Sequence, residues 1–259
     1  MPTTMDLEVG VAAYKVVRDL LNIKKGESLL ITIDSAGHWR MAEETAKAGE
    51  AMGAKVMVAW HSTPPGYGKV GDPYLPDSLH AAIPETDAWV EYNYQWLLYS
   101  TPWEKALTTP DRVRYLFLGG LNDDQFVRCV GKVDLNLQKE FQETLVGLTK
   151  KAKKMRITNS VGTDVSFENV PERPITSEGW ALEPGAHFLL GQIGWPPLEE
   201  SINGVIVFDG SFSGGGEADL GILQESVAFH IEEGVCVDIT GGDEAKFLKS
   251  WFERLEDPL

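Results

Sequence analysis

The chain is 259 residues long, 43% hydrophobic, and carries 39 acidic against 23 basic residues for a formal charge of −16. That length can bury a real core, in one large domain or two smaller ones, and two are expected. The acidic surplus leaves no cations to neutralise phosphates, which argues against nucleic acid and anionic membranes as partners and in favour of a small organic substrate. No apolar run approaches the ~20 residues of a bilayer span. Met1–Asp6 lacks the basic start and apolar core of a secretion signal, so a cytosolic, cytoplasmic protein is expected.

Leu7, Val11, Tyr14, Val17 and Leu21 recur at helical spacing and predict a first helix with these residues as its inner stripe. The apolar strand Leu29–Ile33 follows. A second helix over Met41–Met52 leads through Gly53 to a strand at Lys55–Trp60, and further strands are predicted at Ala88–Tyr92 and Val113–Leu118. Alternation of this kind predicts an α/β fold, with a mostly parallel sheet covered by helices on both faces. A long helix from about Asp134 to Lys153 carries Leu137, Phe141, Leu145, Leu148 and Ala152 on one stripe, with Asp134 as its cap. Its lysine-rich end suits the negative end of the helix dipole and reads as a solvated terminus rather than an anion site.

After Met155 the pattern changes to strands and turns, at Met155–Thr158, Val165–Phe167, His187–Leu190 and Val205–Phe208. A hairpin follows, with Val227, Phe229 and Ile231 alternating before the turn Glu232-Glu233-Gly234, and Val235, Val237 and Ile239 alternating after it. A last helix from near Asp243, with Leu248, Trp251, Phe252 and Leu255, is placed to cover the hairpin. Residues 1–153 are thus expected to form the α/β domain, and 154–259 a β-rich α+β domain.

Gly66-Tyr67-Gly68-Lys69-Val70-Gly71 spells a dinucleotide-binding fingerprint, but Pro64-Pro65 before it and Asp72-Pro73 after it forbid the helix that would hold a pyrophosphate. Ser213–Gly216 reads as a loop tip. Nucleophile elbows, H-E-x-x-H zinc helices and paired C-x-x-C are absent from the sequence. Cys129 and Cys236 read as reduced, buried thiols. His38, His61 and His80 read as surface or capping residues, and His230 should face solvent across the strand from Phe229 and Ile231.

The run Gly191-Gln192-Ile193-Gly194-Trp195-Pro196-Pro197-Leu198-Glu199-Glu200-Ser201 joins an irregular loop to the strand Val205–Phe208. With Glu232-Glu233-Gly234 and Asp238-Ile239-Thr240-Gly241-Gly242, it resembles a family that holds NicX-like 2,5-dihydroxypyridine 5,6-dioxygenases and M29-type metallo-aminopeptidases. The likeness runs from Met1 to Leu259. It implies ring cleavage of a dihydroxylated pyridine or similar aromatic with O₂ at a mononuclear Fe(II) held by two histidines and a carboxylate. In both branches the metal residues lie C-terminal to this point, so the second domain is expected to be incomplete, the chain to bind no metal alone, and activity to need sequence beyond it. Homo-oligomerisation is also implied.

The resemblance selects His187, after the turn Glu183-Pro184-Gly185-Ala186, as an imidazole that moves a substrate proton. A structural histidine at a strand end is the competing role. Tyr99 stands where the ring-cleaving branch has a histidine; a phenol, ionising near ~10, orients better than it accepts protons. Its competing role is packing in the aromatic run Trp89–Trp103. Gln192, Trp195 and Glu200 are expected at the substrate. Gln192 occupies the position of a metal-binding Glu in the aminopeptidases, and an amide neither ligates nor offsets a divalent cation as a carboxylate does. Glu199-Glu200 match an acid pair common to both branches and are expected to order the loop. Ser160–Asp164 matches a shared turn. The alternatives are an M29-type aminopeptidase and a non-catalytic binding or assembly module.

Overall fold

The structure is a computed structural model that describes residues 5–108, 112–213 and 219–255. The strands are β1 (Ser28–Asp34), β2 (Lys55–His61), β3 (Ala88–Glu91), β4 (Arg114–Phe117), β5 (Lys154–Thr158), β6 (Asp164–Glu168) and β7 (Thr176–Ser177). They continue with β8 (Gly185–His187), β9 (Ile193–Gly194), β10 (Asn203–Phe208), β11 (Ser211–Ser213), β12 (Asp219–Ile222), β13 (Val227–Glu232) and β14 (Val235–Gly241). The helices are α1 (Asp6–Lys15), α2 (Trp39–Ala51), α3 (Asp77–Ala82), α4 (Thr101–Thr108), α5 (Asp123–Phe126), α6 (Leu135–Lys151) and α7 (Asp243–Leu255). Among the described residues, no helix is long and apolar enough to cross a membrane. The loop tip at Gly214–Gly216 and the terminal Asp257-Pro258-Leu259 lie outside the described residues.

Two compact units form, Met1–Gln142 with Ser177–Gln192, and Glu143–Thr176 with Ile193–Leu259. The boundary expected at residue 153 thus falls inside the second unit. The first holds a parallel sheet in the order β2-β1-β3-β4-β8. Of the strand predicted at His187–Leu190 as part of the second domain, only His187 is in a strand: it ends β8 of this sheet, where it pairs with Leu116. An edge at β4 would leave its backbone groups unpaired, and three residues of returning chain satisfy them. One face buries Leu29, Ile31, Ile33, Val90, Tyr92 and Leu116 beneath α1 and α2, and the other buries Leu30, Trp89 and Tyr115. Each large aliphatic side chain taken out of water contributes ~1.5–3 kcal/mol.

Two predicted stripes face the wrong way. Leu7, Val11 and Tyr14 are 85%, 52% and 43% exposed, whereas Val9, Ala12, Ala13 and Val16 are buried. A π-helical turn at Val16–Leu20 follows α1, and the extra residue rotates Val17 and Leu21 into the core. In α6, Leu137, Phe141 and Leu148 are 64%, 58% and 60% exposed, while Gln142 and Thr149 are buried. Hydrogen bonding sets that rotation. Gln142 Nε2 donates to Ser177 Oγ, Glu178 O and Gln192 O at 3.1, 3.0 and 3.2 Å, and its Oε1 accepts from Gly191 N at 3.2 Å. Turning the helix the other way would strand these backbone groups and the amide without partners, which is costly where they are buried. Asp134 caps α6 as expected, accepting from Asn136 N and Leu137 N at 3.0 and 3.1 Å.

The second unit holds an antiparallel sheet in the order β14-β13-β10-β6-β5. Glu233 and Gly234, at φ 48° and 83°, make the two-residue turn that a right-twisted hairpin favours. The uniform alternation expected beyond that turn breaks. A bulge lets Ile231 pair with Cys236 while His230 pairs with Asp238, so Val237 has no opposite residue. Val235 and Val237 therefore face out, and Cys236 and Ile239 join the core under α7. Both cysteines are free and half-buried.

Candidate active site

The strand order of the first unit reverses its direction of growth between β1 and β3, and open parallel sheets bind ligands beyond the carboxyl ends of their strands at such a switch. The residues ending these strands are polar and buried. Asp34 is fully buried and accepts from Ala36 N at 3.2 Å and Gln95 N at 2.8 Å. Asn93, also fully buried, donates from Nδ2 to His61 Nε2 at 2.7 Å. His61 Nδ1 lies 2.8 Å from Ser62 O, which assigns the proton to Nδ1 and leaves Nε2 as the acceptor. Asn93 Oδ1 has no hydrogen-bond partner among the described residues. His61, expected at the surface, is thus half-buried and paired.

Glu91 ends β3 with no exposed surface. Leu97 N donates to its Oε1 and the Tyr115 hydroxyl to its Oε2, both at 2.5 Å. Burial pushes its carboxyl up to about 8, with the Asp34 charge adding to the shift and the bonds from Tyr115 and Leu97 opposing it. The Tyr115 hydroxyl is raised well above the usual phenol range, chiefly by its own burial. Through Leu97, Glu91 anchors the loop that carries Tyr99. That loop is tightly wound: Tyr99 has φ 66°, a left-handed conformation costly for an aromatic residue. Gly68 N donates to Trp96 O at 2.8 Å, and a Cβ on Gly68 would stand 3.2 Å from Leu98 O.

Tyr99 is exposed, its ring edge-on to Trp103 at 5.2 Å, and Trp103 is edge-on to Tyr115 at 6.3 Å. Phe188 reaches the same aromatic cluster through Phe117, and Phe117 through Trp96. The pairing of β8 with β4 puts Ala186 beside Tyr115 on the face of that cluster and His187 beside Leu116 on the opposite face. His187 Nε2 lies 2.9 Å from Glu183 O. With the proton on Nε2, Nδ1 keeps the lone pair that accepts a proton. Among the described residues, no hydrogen bond or ring contact joins His187 to Tyr99.

The loop residues fall in different places. The Gln192 side chain is exposed, and the Gln192 carbonyl is the group held, by Gln142 Nε2 and by Glu178 N at 2.9 Å. Trp195 and Glu200 belong to the second unit. Trp195 is half-buried, donates to Asn169 Oδ1 at 3.2 Å and packs on Phe167 at 6.3 Å. Glu200 is exposed. Its neighbour Glu199 orders the loop, with Arg173 reaching both its oxygens at 2.7 and 2.8 Å and the Pro197 carbonyl as well. Arg173→Ala is expected to leave the melting temperature nearly unchanged, because exposed pairs are well screened, yet to speed limited proteolysis within residues 196–200. Unchanged cleavage kinetics would remove Arg173 from this role.

Glu91, Asn93 and Gln142 are the site and framework residues that the sequence reading missed. Glu91 had a signal, a lone carboxylate inside the apolar strand Ala88–Tyr92, where burial of a charge demands a purpose.

A parallel α/β unit and an antiparallel β-rich unit in one chain define the class of fold. The profile of the family described as NicX, 2,5-dihydroxypyridine 5,6-dioxygenase, matches residues 11–259, and the chain belongs to that family. Among solved structures, it is similar to 2,5-dihydroxypyridine dioxygenase from Pseudomonas putida KT2440, with a TM-score of 0.73 at 20% identity over 99% of this chain and 74% of the other. It is also similar to wild-type AmpT from Thermus thermophilus, with a TM-score of 0.67 at 14% identity over 98% of this chain and 76% of the other. At these identities both likenesses establish the fold alone. A direct comparison with curated protein sequences finds no match.

The mononuclear iron implied by the resemblance needs two imidazoles and a carboxylate converging on one point. Among the described residues, no three His, Cys, Asp or Glu side chains do so. His187 is engaged with a backbone carbonyl and His61 with Asn93. The described residues therefore do not fit a complete iron site.

Proposed function

We propose that the protein takes part in oxidative ring opening of a dihydroxylated pyridine or similar aromatic, with O₂ as co-substrate. On this reading the chain supplies substrate-facing and proton-handling groups, and the described residues do not supply the iron. Family membership over residues 11–259 is the observation that carries the reading. His187 is the proton acceptor for a substrate hydroxyl, through the Nδ1 left open by its bond to Glu183 O. Tyr99 orients the ring, with Trp103 behind it as a stacking surface. Gln192, with its amide exposed, is a further substrate-side residue of this proposal. The exposed Leu137, Phe141 and Leu148 on one face of α6 support a homo-oligomer.

The amide at Gln192 weighs against a two-metal aminopeptidase, since it offers no anionic oxygen to a metal pair. Metal analysis of the protein purified from its native host separates the readings. About one iron per chain, with oxygen uptake on 2,5-dihydroxypyridine, is the expected result. Two zinc or cobalt ions with release of N-terminal residues from peptides would establish the peptidase instead. Absence of metal and of both activities would leave a binding or assembly module.

A further inference from the structure

We infer that the segment Tyr94–Ser100 is a gate over the carboxyl end of β3, and that Glu91 is its latch: the gate stays shut while Glu91 keeps its proton and opens as the carboxyl ionises. This goes beyond the ring-opening reading and holds whatever reaction the chain serves. The segment lies outside every helix and strand of the first unit, so no ladder of its own secures it. Buried carboxyl groups secure it instead. Glu91 Oε1 accepts from Leu97 N at 2.5 Å, and Asp34 Oδ2 from Gln95 N at 2.8 Å. A third tie, Gly68 N to Trp96 O at 2.8 Å, comes from the facing loop. Leu97 and Ser100 are buried while Tyr94 and Tyr99 are exposed, which gives the segment one side on the sheet and one in water.

Three unfavourable features gather where the closed segment meets the sheet, and opening relieves all of them. Tyr99 is held at φ 66°, a conformation that opposes an aromatic side chain. Trp103, on which the Tyr99 ring packs, has a buried indole Nε1 with no hydrogen-bond partner among the described residues. Glu91 has no exposed surface, and the strand register sets Thr32 opposite it with Asp34 two residues further along the same face. Two carboxyl groups thus share one dry region. The titratable groups facing Glu91 are Asp34 from β1, Tyr115 from β4 and, acting on Tyr115, Tyr99 from the segment itself. Around them, His61 of β2 is bonded to Asn93, Asp72 to Thr101 N and Lys69 to Glu104. Burial, helped by the Asp34 charge, holds the closed carboxyl up to about 8, whereas one opened to water ionises near 4.5. The open state therefore binds fewer protons between those values, and the opening constant rises by up to about tenfold per pH unit across the window.

Amide hydrogen exchange of the full chain, followed residue by residue by NMR between about pH 5.5 and 8, reads the gate directly. After correction for intrinsic rates, protection of Gln95 and Leu97 is expected to fall by up to about tenfold per pH unit. It should hardly respond to low urea, because a local opening exposes little surface. Val90, in the sheet beneath, should be better protected and should lose protection steeply with urea. Glu91→Gln keeps an acceptor for Leu97 N but has no proton to lose, so its Leu97 protection should not change with pH. Leu97 exchanging with the protection and urea dependence of Val90 would overturn the inference, since the segment would then open only with the sheet. Wild-type protection that is constant with pH, or a fall repeated in Glu91→Gln, would overturn it as well. The wild-type series alone decides the matter if the variant does not fold.

Discussion

Replacing Glu91 by Gln is expected to make the protein more stable, and by more the higher the pH. The unfolded carboxyl releases its proton near 4.5, whereas burial holds the folded one to about 8. Between those values the folded state binds more protons than the unfolded chain, so wild-type stability falls as pH rises through the window. The contribution is fully present below about pH 4.5, lost progressively, and gone above about pH 8. The loss amounts to at most about 4–5 kcal/mol, one pKa unit being worth about 1.4 kcal/mol. Gln has no proton to lose, its carbonyl can accept from Leu97 N, and its amide can donate to the Tyr115 oxygen, so Glu91→Gln should abolish the slope. Urea midpoints at about pH 5, 7 and 9 measure it; curves that stay parallel to wild type would show that the carboxyl is not held protonated. Glu91→Ala should destabilise instead, because it strands Leu97 N and the Tyr115 hydroxyl without partners.

Where the protein purified from its native host takes up oxygen on 2,5-dihydroxypyridine, His187→Ala in that protein is expected to lower kcat by roughly 10²–10⁴-fold, the usual worth of a positioned general base. The variant should fold normally. His187 sits at the end of a three-residue edge strand, and its described hydrogen bond is to the carbonyl of Glu183, four residues earlier. Gln at the same position keeps a donor for Glu183 O but cannot take a proton, so it should be as slow as Ala. Recovery of rate in His187→Gln would mean that the residue only orders its turn. Tyr99→Phe should cost far less than the His187 variants, with the loss mostly in KM, because the ring stays against Trp103 and only a hydrogen bond is removed. A wild-type rate in His187→Ala would end the proton-transfer assignment.

Legibility of the fold followed the strength of the local signal. The strands of the parallel sheet were readable because both faces are buried, which writes continuous apolar runs such as Leu29–Ile33. The cap at Asp134 and the turn at Glu233-Gly234 were readable because their chemistry is local. The orientation of α1 and α6 was not. Apolar residues surround both helices, so periodicity alone could not choose a face; a π-turn decided one and the hydrogen bonds of Gln142 the other. The assignment of His187 to the first sheet was hidden for the same reason. A strand of three residues carries no pattern that says which sheet it joins.

By itself the sequence determined the α/β class, the strand-and-turn grammar after residue 155, and the family, because each rests on residue types at fixed local spacings. Tertiary structure alone decided which polar groups are buried. The Glu91 carboxyl is pushed up because the sheet buries it, with the Asp34 charge nearby, and Gln142 meets Ser177 and Gly191 because distant segments converge. Desolvation and charge proximity act through space, so they exist only once the chain has brought such residues together.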